Sequence, residues 1–275
     1  MINIIYTQNQ KIMFKKLRSL IGRLFDENQQ MLIVMYLSDF FWFLRKYFLS
    51  VEIKYPSEFL NNWFIIKKFS SQDKERNFTV YQMIKVHNEI FKNKKTNIIE
   101  FGVDRGGTLT TISKFVKNDT EIFALDSFGF YADDIKTNVT KQDQHYLGKY
   151  RPFTKKTRFK EFNYLSLEKE LNEDLIKKKS KLNIIKCHFP DKIEENYFNI
   201  INAKKYSFVH IDFDLYKPTL EVIKFIIPRL EANAIILLDD YNFINQEGVK
   251  WAVKDSGINI NKCIQTQSGQ LICYT

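Results

Sequence analysis

The chain has 275 residues, a net charge of +10, 44% hydrophobic residues and 27% charged residues. This length and composition predict one large folded domain or one domain with an appendage, and the low content of 9 Gly and 5 Pro argues against a disordered or loop-rich chain. The lysines are scattered and no RNA-binding or recognition-helix signature accompanies them, so we expect a solvated basic surface and no nucleic-acid partner.

The sequence of residues 1–95 predicts helices, which an extended segment at Tyr55-Pro56 interrupts. The apolar stretch 31–44 is shorter than the roughly 18–20 residues that a membrane span requires, and Asp39 interrupts it. We therefore predict no transmembrane span. A buried or subunit-interface helix is favoured, which points to a homo-oligomer, and an interfacial membrane helix is the alternative.

From residue 96 the pattern alternates between apolar runs and helical periodicity, which is typical of βαβ units. The predicted strands cover 97–101, 121–126, 182–187, 206–212 and 233–239, followed by a closing pair at 258–264 and 270–274. Predicted helices cover 77–92, a segment capped by Thr108, the stretch between Pro218 and Pro228, and 248–255. Residues 128–160 lack periodicity, and a loop of this length is typically a functional lid or a disordered segment.

The cysteines and the N-terminus indicate the compartment. Cys187 and Cys273 lie in apolar runs, which predicts buried free thiols in a reducing environment. The N-terminus lacks a basic segment followed by an apolar core and a cleavage site, so we expect a cytoplasmic protein.

Two apolar runs end abruptly in carboxylates. Residues 208–216 read Phe-Val-His-Ile-Asp-Phe-Asp-Leu-Tyr, and residues 234–241 end in Asp239, Asp240 and Tyr241. Such runs are typical of buried parallel strands, and α/β folds place their ligands at the carboxyl ends of those strands. Four clustered negative charges repel one another unless a cation holds them together, so the pair of motifs predicts a Mg²⁺ site.

A glycine-rich turn, Glu100-Phe-Gly-Val-Asp-Arg-Gly-Gly-Thr, follows the first predicted strand. Its glycines, Gly102 and Gly106 among them, permit close approach of a ligand, although the spacing matches neither the Rossmann fingerprint nor a P-loop, and a turn that merely joins strand to helix is the alternative. Asp126 ends the second strand, where a carboxylate accepts ribose hydroxyls or caps a turn. Together they predict an adenosine-containing ligand.

Three further residues lie beside these motifs. His210 shares a strand face with Asp212, and is either a partner of the metal site or a hydrogen-bonded core histidine. His188 follows the third strand, near the predicted adenine position, and Ser127 follows Asp126. We include Ser127, His188 and Gly106 among the predicted cofactor-binding residues.

The motifs beginning at Glu100, Asp126, His210, Asp239 and Gly248 occur in the order found in the macrocin-type (TylF-like) sugar O-methyltransferases. Over roughly residues 75–275 the chain resembles this family. The resemblance implies a class I methyltransferase fold, a Rossmann-like and mostly parallel sheet flanked by helices. It also implies S-adenosylmethionine and Mg²⁺ as cofactors.

The resemblance further implies roles for individual residues. Asp212, Asp239 and Asp240 would bind the metal, Asp214 would be the general base, and Glu100, Gly102 and Asp126 would line the S-adenosylmethionine site. From the helical pattern of the N-terminal part, which the resemblance does not cover, we expect a helical extension at 1–75 that serves as a lid or in oligomerisation, followed by a methyltransferase domain at 76–275.

The predicted reaction is methyl transfer to a sugar hydroxyl, on a nucleotide-linked sugar or on a sugar destined for a polysaccharide or natural product. The alternative enzyme is a metal-dependent glycosyltransferase, because Asp212-Phe-Asp214 has the Asp-x-Asp form that binds a metal and a nucleotide-sugar diphosphate. A third hypothesis is a non-catalytic protein that binds membranes through its basic surface.

Overall fold

The computed structural model describes residues 54–70, 72–128, 140–143, 163–242 and 247–275. The predicted apolar helix at 31–44 and most of the predicted loop at 128–160 lie outside these residues. No helix in the described ranges is long and apolar enough to cross a membrane.

A seven-stranded sheet forms the centre of the described protein, with strand order β3-β2-β1-β4-β5-β7-β6. Strands β1 to β5 are parallel, and β7 pairs antiparallel with both β5 and β6. The strands are β1 Thr96–Phe101, β2 Thr120–Asp126, β3 Lys181–Lys186, β4 Tyr206–Ile211, β5 Leu230–Leu238, β6 Cys263–Gln265 and β7 Leu271–Tyr274. The predicted mostly parallel sheet is confirmed.

Helices cover both faces of this sheet. They are α1 Ser57–Phe69, α2 Lys74–Ile90, α3 Gly107–Phe115, α4 Tyr164–Lys177, α5 Glu195–Asn202, α6 Tyr216–Ile226 and α7 Glu247–Asp255, with short 3₁₀ turns at Lys141–Asp143, Ile227–Arg229 and Ile260–Lys262. Helix α1 lies within the predicted extension 1–75 and packs on the core through Phe59 and Ile66. The division at residue 75 itself stays a prediction.

Alternation along the strands creates two apolar layers. Ile98 and Phe208 pack on the side of α1 to α4, whereas their neighbours Ile99 and Val209 pack on the side of α5 to α7. Successive side chains of a strand point to opposite faces, so a strand buried on both faces is apolar throughout. This double burial explains the continuous apolar runs.

Several local predictions were wrong. Helix α3 begins at Gly107 with Gly106 as its N-cap, so Thr108 lies in the first turn and does not cap the helix. The segment before Cys263 forms a 3₁₀ turn, which shortens the first strand of the closing pair. Cys187 is a buried free thiol as predicted, but Cys273 forms a disulfide with Cys263 on the neighbouring strand. Helices α4 and α5 were not predicted.

Candidate active site

The carboxyl ends of β1, β2, β4 and β5 bring the predicted site residues to one edge of the sheet. The order of the strands reverses between β1 and β4, and open α/β sheets bind ligands at such a reversal. Backbone hydrogen bonds extend past the strand ends, from the Asp212 N–H to the Phe101 carbonyl at 2.8 Å and from the Asp239 N–H to the Ile211 carbonyl at 2.9 Å. The first aspartate of each motif is therefore fixed by the sheet.

Gly102 connects the glycine-rich turn to the first of these aspartates. Its φ is +88°, and a Cβ atom at this position would lie 2.0 Å from the carbonyl oxygen of Asp212. A side chain cannot fit there without moving the backbone of one strand end. Gly102 is thus required for the close approach of the turn to Asp212, a role that the sequence prediction of cofactor contact did not include.

Asp212, Asp214, Asp239 and Asp240 form what we call the acidic centre. Asp239 and Asp240 are buried, and the other two are half-buried. One carboxylate oxygen from each of Asp212, Asp214 and Asp240 lies within 4.8 Å of the others, a spacing compatible with a shared cation. Asp214 and Asp240 both have a φ near +57°, an uncommon conformation that proteins retain mainly at functional positions.

The carboxyl groups of the acidic centre have perturbed acidities. Burial raises the pKa of Asp240 to about 8, the Asp214 carboxylate adds to the rise, and Arg76 opposes it. Burial, followed by repulsion from Asp239 and Asp240, also holds the pKa of Asp212 well above its ordinary range. A bound divalent cation would stabilise the ionised forms, and oxygen ligands at this spacing are the kind that Mg²⁺ prefers. The spacing of Asp212, Asp214 and Asp240 therefore fits the predicted metal, whereas the predicted ligand set has Asp239 in place of Asp214, so Asp239 as a ligand stays a prediction.

Arg76 and Gln72, which the sequence analysis did not identify, contact the acidic centre from the start of α2. The guanidinium of Arg76 lies 3.1 Å from Asp239 Oδ1 and 2.8 Å from Asp240 Oδ1. The Gln72 amide donates to Asp212 Oδ2 at 3.0 Å and to Asp239 Oδ2. The available sequence signal was Asp73, whose carboxylate caps α2 by accepting from the Arg76 N–H. A helix begun there would have placed Arg76 on the buried side together with Val80 and Ile84.

Glu100 and His210 form a fully buried pair between the predicted cofactor-binding residues and the acidic centre. They are register partners on β1 and β4, and His210 Nδ1 lies 3.0 Å from Glu100 Oε1. Burial raises the pKa of Glu100, and the hydrogen bond and charge of His210 oppose the rise. Glu100 Oε2 has no hydrogen-bond partner among the described residues. A buried acceptor of this kind at the carboxyl ends of the strands fits a ligand with a donor group. His210 is a buried, hydrogen-bonded histidine, and its role as a partner of the metal site stays a prediction.

Asp126 joins the turns that follow β1 and β2. Its Oδ2 accepts the N–H groups of Val103 and Asp104 at 2.7 and 3.0 Å, and its Oδ1 accepts the Phe128 N–H at 2.7 Å. The carboxylate is thus a turn cap, the alternative that the sequence left open. Oδ1 makes one of these bonds and retains capacity for a further donor, so a role with ribose hydroxyls stays a prediction.

The remaining predicted cofactor residues border the same edge. Gly106 has a φ of +89° and directly precedes α3, while Ser127 and His188 are half-buried beyond the ends of β2 and β3. Phe128 stacks on Tyr164 with ring centroids 4.6 Å apart. Gly106, Ser127 and His188 each follow or flank a strand end on this side of the sheet, and their contact with a cofactor stays a prediction.

Comparison with solved structures identifies the architecture. The O-methyltransferase NovP superposes with a TM-score of 0.56 at 16% identity, over 75% of this chain and 81% of NovP. The calicheamicin methyltransferase CalS11 gives a TM-score of 0.50 at 17% identity, over 81% of this chain and 94% of CalS11. The fold is that of the class I methyltransferases. Neither a family model nor a curated protein sequence matches the chain.

Proposed function

We propose that the protein is an S-adenosylmethionine-dependent O-methyltransferase that uses Mg²⁺ and acts on a sugar hydroxyl. One observation carries the proposal. The predicted cofactor side, with Glu100 and Asp126, and the acidic centre lie next to each other where the strand order reverses. The Glu100–Asp126 side lies next to the acidic centre, and Gly102 packs directly against Asp212. The fold shared with NovP and CalS11 supports a methyltransferase over the glycosyltransferase alternative.

The chemistry that such a site has to perform matches its residues. Methyl transfer from a sulfonium is an in-line displacement, in which a bond forms from the acceptor oxygen to the methyl carbon while the bond from carbon to sulfur breaks. The hydroxyl proton needs an acceptor, because a sugar hydroxyl is a poor nucleophile at neutral pH. We assign this proton to Asp214. Mg²⁺ bound beside the acceptor would lower the pKa of the hydroxyl.

The acidic centre and the cofactor side would bind different ligands. Asp212 and Asp240, with Asp239, would hold the metal, as the family resemblance implies. Glu100 offers Oε2, which has no hydrogen-bond partner among the described residues, to a donor group of the cofactor, and Asp126 offers Oδ1 to a ribose hydroxyl. Gly102, Gly106, Ser127 and His188 complete the cofactor side. We propose a nucleotide-linked sugar, or a sugar of a polysaccharide or natural product, as acceptor, and a cytoplasmic homo-oligomer as the working form.

Cofactor binding is tested by titrating the protein with S-adenosylmethionine in a calorimeter, with and without Mg²⁺. We expect saturable binding to one site per chain. Absence of binding under both conditions would remove the methyltransferase proposal.

The acceptor class is tested by incubating the protein with methyl-labelled S-adenosylmethionine, Mg²⁺ and a panel of nucleotide sugars. We expect label in one sugar, and loss of the label when EDTA is added. Methyl transfer that persists in EDTA would support the methyltransferase activity and contradict its dependence on Mg²⁺. Metal-dependent hydrolysis of a nucleotide sugar without methyl transfer would favour the glycosyltransferase.

A further inference from the structure

The first turn of α2 places a permanent positive charge inside the acidic centre. The side chain of Arg76 is only 10% exposed, and its guanidinium contacts Asp239 and Asp240 at 3.1 and 2.8 Å. The position is fixed by the helix, because the carboxylate of Asp73 accepts the Arg76 N–H at 2.8 Å and caps the first turn. Arg76 is therefore held in place by its backbone as well as by its side chain.

The guanidinium stays charged in this position. Burial alone would lower the pKa of Arg76, but the charges of Asp239, Asp240 and Asp212 outweigh burial and raise it. A buried carboxylate is stable only when it is paired or protonated. Arg76 thus provides for Asp239, and for Asp240 whenever it is ionised, part of the compensation that a metal ion would provide.

Gln72 extends the same arrangement to the other side of the centre. Its amide nitrogen donates to Asp212 and Asp239, while its amide oxygen accepts from the Thr108 hydroxyl at 3.2 Å. Thr108 is the last residue of the glycine-rich turn and lies in the first turn of α3. The segment that carries Arg76 is therefore tied to both halves of the site.

We propose that Arg76 is the internal counter-cation of the acidic centre, and that it sets the affinity of this centre for a divalent cation. Arg76 stabilises the metal-free protein and, by its positive charge, weakens the binding of a metal cation to the same carboxylates. Arg76 is on this account a positioning and affinity-setting residue. The second half of the inference rests on the proposed metal site, and the first half does not.

The affinity is tested with Mn²⁺ as a paramagnetic probe, titrated into the full-length protein and followed by electron paramagnetic resonance. We expect Arg76→Met to bind Mn²⁺ at least about tenfold more tightly than the unchanged protein, because a repelling charge has been removed from the carboxylates. Arg76→Lys keeps the charge and should bind near the original affinity. Unchanged or weaker binding by Arg76→Met would overturn the inference, since a residue that only organises the ligands gives that result.

Arg229→Met is the matched control. This half-buried arginine lies at the opposite end of β5, over the ring of Phe225 at 4.0 Å and beside Asn202. Its replacement removes the same charge from the protein and should leave the Mn²⁺ affinity within about twofold, because solvent and salt screen charges that lie far apart near the surface. An equal gain of affinity in both variants would overturn the inference, since a change in overall charge would then explain it.

The counter-cation role is tested without any metal, by thermal unfolding in EDTA. Arg76→Met should lower the Tm by about 5–15 °C, because the buried carboxylates of Asp239 and Asp240 lose a positively charged partner. Adding Asp239→Asn should recover much of this loss, because the charge that Arg76 compensated is then gone. Additive losses in the double variant would overturn the counter-cation role. If the unchanged protein binds no Mn²⁺, the metal site and the affinity-setting role are both wrong. The unfolding measurements on the single and double variants then still test whether Arg76 and Asp239 form a stabilising ion pair.

Discussion

Replacing Gly102 with alanine tests whether the glycine-rich turn controls the position of Asp212. The new Cβ atom would lie 2.0 Å from the Asp212 carbonyl oxygen and 2.8 Å from its carbon, so the strand ends must separate by more than about 1 Å to reach an ordinary contact. The φ of +88° adds its own strain. We expect a loss of about 2–4 kcal/mol in the free energy of unfolding, made up of about 1 kcal/mol from the backbone conformation and the rest from the forced separation.

Gly257→Ala is the matched control, because Gly257 has a similar φ of +81° but no atom within 4 Å of the added Cβ. It should lose only the conformational part, about 1 kcal/mol. Both variants would be measured by chemical denaturation, together with Mn²⁺ affinity and methyl-transfer rate. Displacement of Asp212 by about 1 Å should also reduce the rate of Gly102→Ala by about 100-fold. If Gly102→Ala were no less stable than Gly257→Ala and bound Mn²⁺ normally, the contact with Asp212 would not position the acidic centre.

Three further outcomes are expected from the site. Asp214→Asn should reduce turnover at least about 1000-fold while S-adenosylmethionine binding, measured by calorimetry, changes less than about threefold, because only the proton acceptor is lost. In EDTA the stability should fall as the pH rises from 5 to 8, because folded Asp240 has a pKa of about 8 against an ordinary value of 3.8, so the folded state binds more protons in this window. Asp143→Ala should lose about 1–2 kcal/mol in chemical denaturation, because the buried Asp143 carboxylate accepts the Tyr216 N–H at 2.8 Å at the start of α6.

Each of these outcomes has a contrary result. Turnover by Asp214→Asn near that of the unchanged protein would remove Asp214 as the base. A Tm in EDTA that is constant or rises between pH 5 and 8 would show that Asp240 is ionised without a metal, and saturating Mg²⁺ should flatten the fall. For Asp143, Lys141→Ala in the same 3₁₀ turn is the control, and equal stability of the two variants would exclude the capping role.

The strands of the sheet could be predicted because a strand that is buried on both faces has an almost continuous run of apolar residues. Residues 208–211 and 234–238 are apolar on every position except His210, and each run stops at an aspartate. His210 breaks the pattern because it pairs with Glu100 on the neighbouring strand. That pairing depends on strand order and register, which sequence periodicity does not specify.

The contacts of Arg76 and Gln72 could not be predicted for a similar reason. Gln72 is 140 and 167 positions away from the two aspartates that it contacts. The approach of α2 to the carboxyl ends of β4 and β5 is set by packing of the whole layer of helices. The pairing of Cys263 with Cys273 likewise depends on the register of β6 and β7. Charge and spacing identified which carboxylates meet, and tertiary packing decides which cationic group meets them.

The three backbone N–H groups held by Asp126 have a consequence for binding kinetics. The turns after β1 and β2 are tied to one carboxylate, so their conformational freedom is lost during folding and not when a ligand arrives. A ligand that binds against residues 102–104 and 126–128 meets backbone that Asp126 already holds in place. Association with this part of the site should therefore be limited by diffusion and access, with no slow rearrangement of these residues.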